Sequence, residues 1–192
     1  MMKNKYFLWF LGIVGIGLIL FLVTSRGYYP IASVNDRVIT GRQFKKNYRA
    51  STVYYLNVLK AYNSEFDPNT LDLKPIDFQV SVLDKLIENA LIDERVRAEL
   101  GDGFNQLLAN RLEKFGNDTE FQRAAATLYG LDFGDVKREI LVPQAERDLL
   151  ADRLFLKGED IEKWLADARR SSEVKIYSGQ FSWNGEGVEI RK

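Results

Sequence analysis

The stretch at residues 78–100, FQVSVLDKLIENALIDERVRAEL, decides how the chain is organised. Val80, Leu83, Leu86, Ile87, Ala90 and Leu91 recur at helical spacing and form one apolar stripe, with Lys85, Glu88, Asp93, Glu94 and Arg95 largely on other faces. It is the strongest helical signal in the chain. Pro75 suits the first turn of this helix, where a missing amide costs nothing, and Gly101 with Gly103 supplies the left-handed backbone at which helices commonly stop.

Upstream, β-branched residues at 31–34 and 38–39 flank the Asn35-Asp36 pair and read as two short extended pieces around a turn. Thr40 with Gln43 forms a capping box opening a helix that runs to about Tyr62, with Phe44, Tyr48, Tyr55, Leu59 and Tyr62 on one face. The polar stretch at 63–74, NSEFDPNTLDLK, has no sustained period and reads as a loop. Downstream, 104–115 is helical and ends at Gly116. Asn117 or Asp118 caps the next helix, with Phe121, Ala125, Leu128 and Tyr129 on one face, and Asp132 caps a third. Pro143 is expected to kink or split that third helix before 145–155. After Gly158 a short helix turns Ile161, Trp164, Leu165 and Ala168 inward. The tail then alternates as strands do, with Asn184-Gly185-Glu186-Gly187 as hairpin-turn chemistry.

At the N-terminus the uncharged run at 6–23, YFLWFLGIVGIGLILFLV, approaches the ~20 residues a helix needs to cross a bilayer. Lys3 and Lys5 before it place the N-terminus in the cytoplasm and the remainder in the periplasm or another extracytoplasmic space. The rival reading is a secretory signal cut after Ser25, which exports the domain equally. The expected partition is a cytoplasmic N-terminus and inner-membrane anchor at 1–26, a main domain at 27–177, and a hairpin extension at 178–192.

The chain carries 27 basic and 27 acidic residues; removing Lys3, Lys5 and Arg26 leaves 24 against 27, about −3 for the exported part. That is no electrostatic footprint for nucleic acid. Cysteine is absent, so disulfides and thiol chemistry are excluded. Histidine is absent too, which removes Ser-His and Cys-His machinery and the common zinc sites. Neither a cofactor nor a metal is expected.

The order of features resembles the N-terminal chaperone domain of the SurA, PpiD and PrsA group, on Val34, Asn35, Asp36, Ile39 and Thr40, then Val82, Leu83, Leu86, Ile87, Glu88, Leu91 and Ile92. Asp36 stands where that group usually has glycine. The segment GLDFGDVKREILVPQAERDLL at 130–150 resembles the group's domain-closing phrase, and WLADARRSSEVKIY at 164–177 its final helix and returning strand. The resemblance implies that 174–177 pairs with 31–34. Together with the hydropathy of 6–23 and the periodicities above, it gives the expected fold, mainly α, in which a single N-terminal transmembrane helix precedes a SurA-N-like helical domain closed by a small β-sheet and hairpin. Many members carry a parvulin-type prolyl isomerase domain before the closing helix; here only Leu156-Lys157-Gly158-Glu159 fills that junction, and the histidines and cysteine of that active site are missing. Isomerase activity is therefore not expected, and the chain is expected not to be an enzyme.

The implied function is a membrane-anchored extracytoplasmic chaperone that binds unfolded or newly exported polypeptides through apolar surface. The alternative is an assembly module in an envelope complex that recognises one folded partner. An open apolar cleft between the long helices supports the former, and a closed bundle the latter. Phe44, Tyr48, Tyr55 and Leu59 read as core, whereas Tyr54, Val58 and Tyr62, joined by Phe66 and Leu71 of the following loop, are the candidate peptide contacts. Asp93, Glu94, Arg95 and Arg97 read as a solvated helix face with local ion pairs. Trp164 and Trp183 read as packing anchors between closing helix and hairpin.

Overall fold

The computed structural model describes residues 3–63 and 74–191, although the side chains of 3–8, 19, 20 and 23 are not among those described. The elements run α1 (Lys3–Ser25), β1 (Pro30–Val34), β2 (Arg37–Thr40), α2 (Gly41–Tyr62), α3 (Pro75–Leu100), α4 (Phe104–Gly116), α5 (Thr119–Tyr129), α6 (Phe133–Val136), α7 (Val142–Leu156), α8 (Ile161–Ser171), β3 (Val174–Ile176), β4 (Phe181–Trp183) and β5 (Val188–Ile190).

The expected transmembrane anchor is not supported. Among the described residues no helix is long and apolar enough to cross a membrane. The domain begins where Gly27, at φ +75°, turns the chain back so that its carbonyl accepts the Arg42 amide at 2.6 Å. A side chain at Gly27 would be strained by that φ and would press on the Arg42 backbone at 3.1 Å.

The fold is built around α3. Val82, Leu83, Leu86, Ile87, Leu91, Ile92 and Val96 are buried, so the helix is enclosed over more of its circumference than a single stripe requires. Leu149, Leu150 and Leu154 of α7 close one side, Ala32, Val34 and Ile39 of the sheet another, and Leu165, Phe181 and Val188 complete the same core. The C-terminal hairpin β4–β5 thus contributes Phe181 and Val188 to the interior. Trp164 and Trp183 pack partly buried against that core.

The three-stranded antiparallel sheet has the order β2-β1-β3, with Ala32 opposite Ile176 and Val34 opposite Val174, the pairing expected for the returning strand. Asn35 holds the turn. It takes a left-handed φ of +49°, which asparagine tolerates better than most residues, while Asp36 keeps a negative φ and needs no glycine. The Asn35 Nδ2 donates to Glu94 at 2.8 Å and its Oδ1 accepts the Glu173 amide at 3.0 Å, tying the turn to α3 and to the chain entering β3.

Caps form where the sequence places them: Thr40 Oγ1 accepts the Gln43 amide, Asp118 that of Phe121 and Asp132 that of Asp135. Pro143 splits its helix through a π turn over residues 137–141, in which the Val142 amide donates to the Lys137 carbonyl five residues back. The wider turn relieves the clash between the proline ring and the carbonyl four residues before it.

One expectation about α3 needs correction. Asp93 is buried rather than on a solvated face, because β2 and α7 close over it; it pairs with Arg37 and, at 2.5 Å, with Arg97. Glu88 is buried as well and collects Lys85, Arg147 and Arg169. Buried carboxylates persist only when cations and hydrogen bonds answer them.

Candidate functional site

Helix α2 divides its aromatic residues between two faces. Phe44 and Tyr48 lie 6.4 Å apart by ring centroids and pack on the core, and Tyr48 and Tyr55 meet Phe78 of α3 at 6.2 and 5.9 Å. These rings close the space between the two long helices. The open ground lies on the opposite side, between α2 and α5. There Tyr54, 40% exposed, stacks on Tyr129 with centroids 5.1 Å apart and planes 12° apart. Burial, and then the proximity of Tyr54, pushes the Tyr129 phenol upward in pKa.

Just beyond the stacked pair a groove of about 550 Å³ is lined by Asn57, Glu120, Arg123, Ala124, Thr127 and Leu128. Asn57 Nδ2 donates to the Leu128 carbonyl at 2.9 Å and to that of Thr127 at 3.3 Å, so the side chain satisfies the end of α5 and fixes the groove wall. Gly130 ends α5 at φ +64°, its α-carbon so close to Val53 that a β-carbon would meet that side chain at 3.0 Å. The bend brings Tyr129 back onto α2.

Of the residues expected from sequence, Tyr54 stacks on Tyr129, Val58 is half-buried on the same helix, and Tyr62 projects from the end of α2, 88% exposed. Phe66 and Leu71 lie outside the described residues. The partners Asn57, Leu128 and Tyr129 were not expected: Leu128 and Tyr129 follow the apolar period of α5, and no signal in one helix reveals which other helix they face. A second apolar patch stands at the α7–α8 junction, where Phe155 and Leu156 are 80% and 76% exposed. Lys157 anchors that junction by pairing with Glu99 at 2.5 Å, which, despite some burial, holds the Glu99 carboxyl below its ordinary range.

At the other end of α2 lies a polar cleft of about 440 Å³, lined by Tyr28, Thr40, Arg42, Lys46, Arg138 and Glu139 among others. A smaller one of about 190 Å³, walled by Arg37, Asp93 and Glu146, shares Gln43 and Arg138 with it. Lys46 reaches Asp135 at 2.5 Å, and Arg138 reaches both Asp135 and, at 3.1 Å, Glu139. Lys46 first, then Arg138, holds Asp135 below the usual carboxylate range. Glu139 is buried and also accepts from Asn47 at 2.9 Å. Glu146 is 4% exposed; burial raises its pKa more than Arg97, 3.9 Å away, and Arg37 lower it. The sequence signal for this cleft was the charge of α2, which carries Arg42, Lys45, Lys46, Arg49 and Lys60 and no acid.

No group of acidic residues placed to hold a metal ion occurs among the described residues. Comparison of the chain with protein-family models, with curated proteins and with solved structures found no match in any of the three.

Proposed function

We propose that the protein is a polypeptide-binding chaperone of the SurA N-terminal type, acting on unfolded or newly exported chains without prolyl isomerase catalysis. The observation that carries the reading is the outer face of α2. Tyr54 and Tyr62 are exposed on the helix whose Asn57 lines a groove shared with Glu120, Arg123, Ala124, Thr127 and Leu128 of α5. Apolar surface framed by charge, and needing no reacting group, suits weak binding of many segments. Phe155 and Leu156 extend the exposed apolar area at a distance along the chain. The absence of histidine and cysteine supports binding without isomerase chemistry.

The closed contact of Phe44, Tyr48 and Tyr55 with Phe78 favours the second reading, a module that docks one folded partner. The two separate in one experiment. The full chain, added in several-fold excess to an unrelated protein diluted from denaturant, is expected to suppress light scattering. No suppression, together with tight binding to one folded partner, would replace the chaperone reading by the docking one.

A further inference from the structure

We propose that the cleft at the start of α2 binds a carboxylate of the client chain, so that acidic segments flanked by apolar residues are preferred. The inference rests on the polypeptide-binding reading and adds a chemical class of client to it. Three cations meet at this cleft and two acids answer them. Lys46 and Arg138 are satisfied by Asp135 and Glu139, whereas no carboxylate among the described residues pairs with Arg42. The Arg42 guanidinium instead lies 5.2 Å above the Tyr28 ring and donates to the Tyr28 hydroxyl. That posture leaves further guanidinium N–H groups, and the Tyr28 proton, available to an incoming acceptor.

The charge is also misplaced for stability. The first turn of α2 contains no acid and carries Arg42, although a helix N-terminus carries partial positive charge and favours anions. The amides of Gly41, Arg42 and Gln43 are already taken by Tyr29, Gly27 and Thr40, so side chains rather than the open helix end must do the recognising. Tyr28 alone answers this charge among the described residues, and a local rule broken with so little compensation is characteristic of sites that meet a ligand. Independently, the cleft wall is the π turn at 137–141, and such turns recur at functional sites. A single carboxylate suits the cleft better than a polyanion, because Asp135 and Glu139 already pair with two of its three cations. Val38 and Tyr29, exposed close by, give apolar neighbours of the acid something to rest on.

The test uses the full chain and two labelled unstructured peptides of identical apolar content, one with a central Asp-Glu pair and one with Asn-Gln, read by fluorescence anisotropy. The acidic peptide should bind about five-fold tighter at low salt, the scale of one partly exposed charge-assisted pair, and the preference should vanish near 0.5 M salt. Arg42→Gln should abolish the preference while leaving the neutral peptide unaffected; Tyr28→Phe, which keeps the ring under Arg42, should reduce it. Equal affinity of the two peptides, or a preference that survives Arg42→Gln, overturns this inference alone. Binding of neither peptide overturns the polypeptide reading with it, and displacement by a short oligonucleotide at lower concentration than the acidic peptide overturns the carboxylate assignment.

Discussion

Replacing Arg169 tests how the C-terminal elements are fastened to the central helix. Its guanidinium forks onto Asp84 at 3.0 and 2.9 Å, reaches Glu88 at 3.0 Å, and donates to the Glu186 carbonyl at 2.8 Å, so one side chain joins α8, α3 and the β4–β5 turn. Removing one member of a buried pair costs about 3–5 kcal/mol when its partner is left alone. Here Glu88 keeps Lys85 and Arg147, and Asp84 keeps the Val188 amide. The expected loss for Arg169→Ala is therefore lower, about 2–3 kcal/mol, seen as a fall of roughly 5–10 °C in the thermal midpoint followed by circular dichroism. Arg169→Lys keeps the charge but not the fork and should lose about 1 kcal/mol. The acid limb gives a second readout. Burial raises the Glu88 carboxyl, but Lys85, Arg147 and Arg169 outweigh it and hold the group below its ordinary 4.5. A carboxyl lowered on folding contributes stability above its unfolded value and loses it as pH falls through the folded one. Arg169→Ala should shrink that acid-sensitive component. A loss under about 0.5 kcal/mol with an unchanged acid limb would refute the view that this network fastens the hairpin and α8.

Three further substitutions have defined outcomes. Asn35→Ala forces a residue with a poor left-handed preference into φ +49° and deletes two turn hydrogen bonds, so urea unfolding should show a loss of about 1–2 kcal/mol. Glu146 is pushed upward on folding, chiefly by burial; such a group favours the folded state while protonated and loses that contribution as pH rises through its folded value. Glu146→Gln should accordingly raise the unfolding midpoint at pH 7 and change it little at pH 4. Gly130→Ala places a β-carbon 3.0 Å from Val53 at φ +64° and should cost about 1–2 kcal/mol while loosening the Tyr54–Tyr129 stack, visible as altered tyrosine fluorescence.

The periodic elements were legible because helices and strands bury one face at a fixed spacing, and residues such as Leu83, Leu86 and Ile87 keep it. Capping was legible for the same local reason at Thr40, Asp118 and Asp132. What could not be read was the set of contacts made by residues distant in sequence. Asp93 and Glu88 look like surface charges on α3 until β2, α7 and α8 bring Arg37, Arg147 and Arg169 over them. Tyr129 looks like core until the bend at Gly130 lays it on Tyr54. The N-terminal run failed differently: hydropathy at 6–23 suggested a membrane span, but no helix among the described residues meets the length and apolarity that spanning demands.

The affinity of the full chain for a permanently unfolded protein, compared with that of Tyr54→Ala/Tyr62→Ala, decides whether the outer face of α2 binds clients. Tyr62 is almost free of contacts, and Tyr54 meets chiefly Tyr129, so the double variant should stay folded and yet bind about five-fold or more weakly, the scale of losing exposed aromatic contacts. Unchanged affinity in that variant, or no measurable binding by the wild-type chain, would contradict a client-binding role for the outer face of α2.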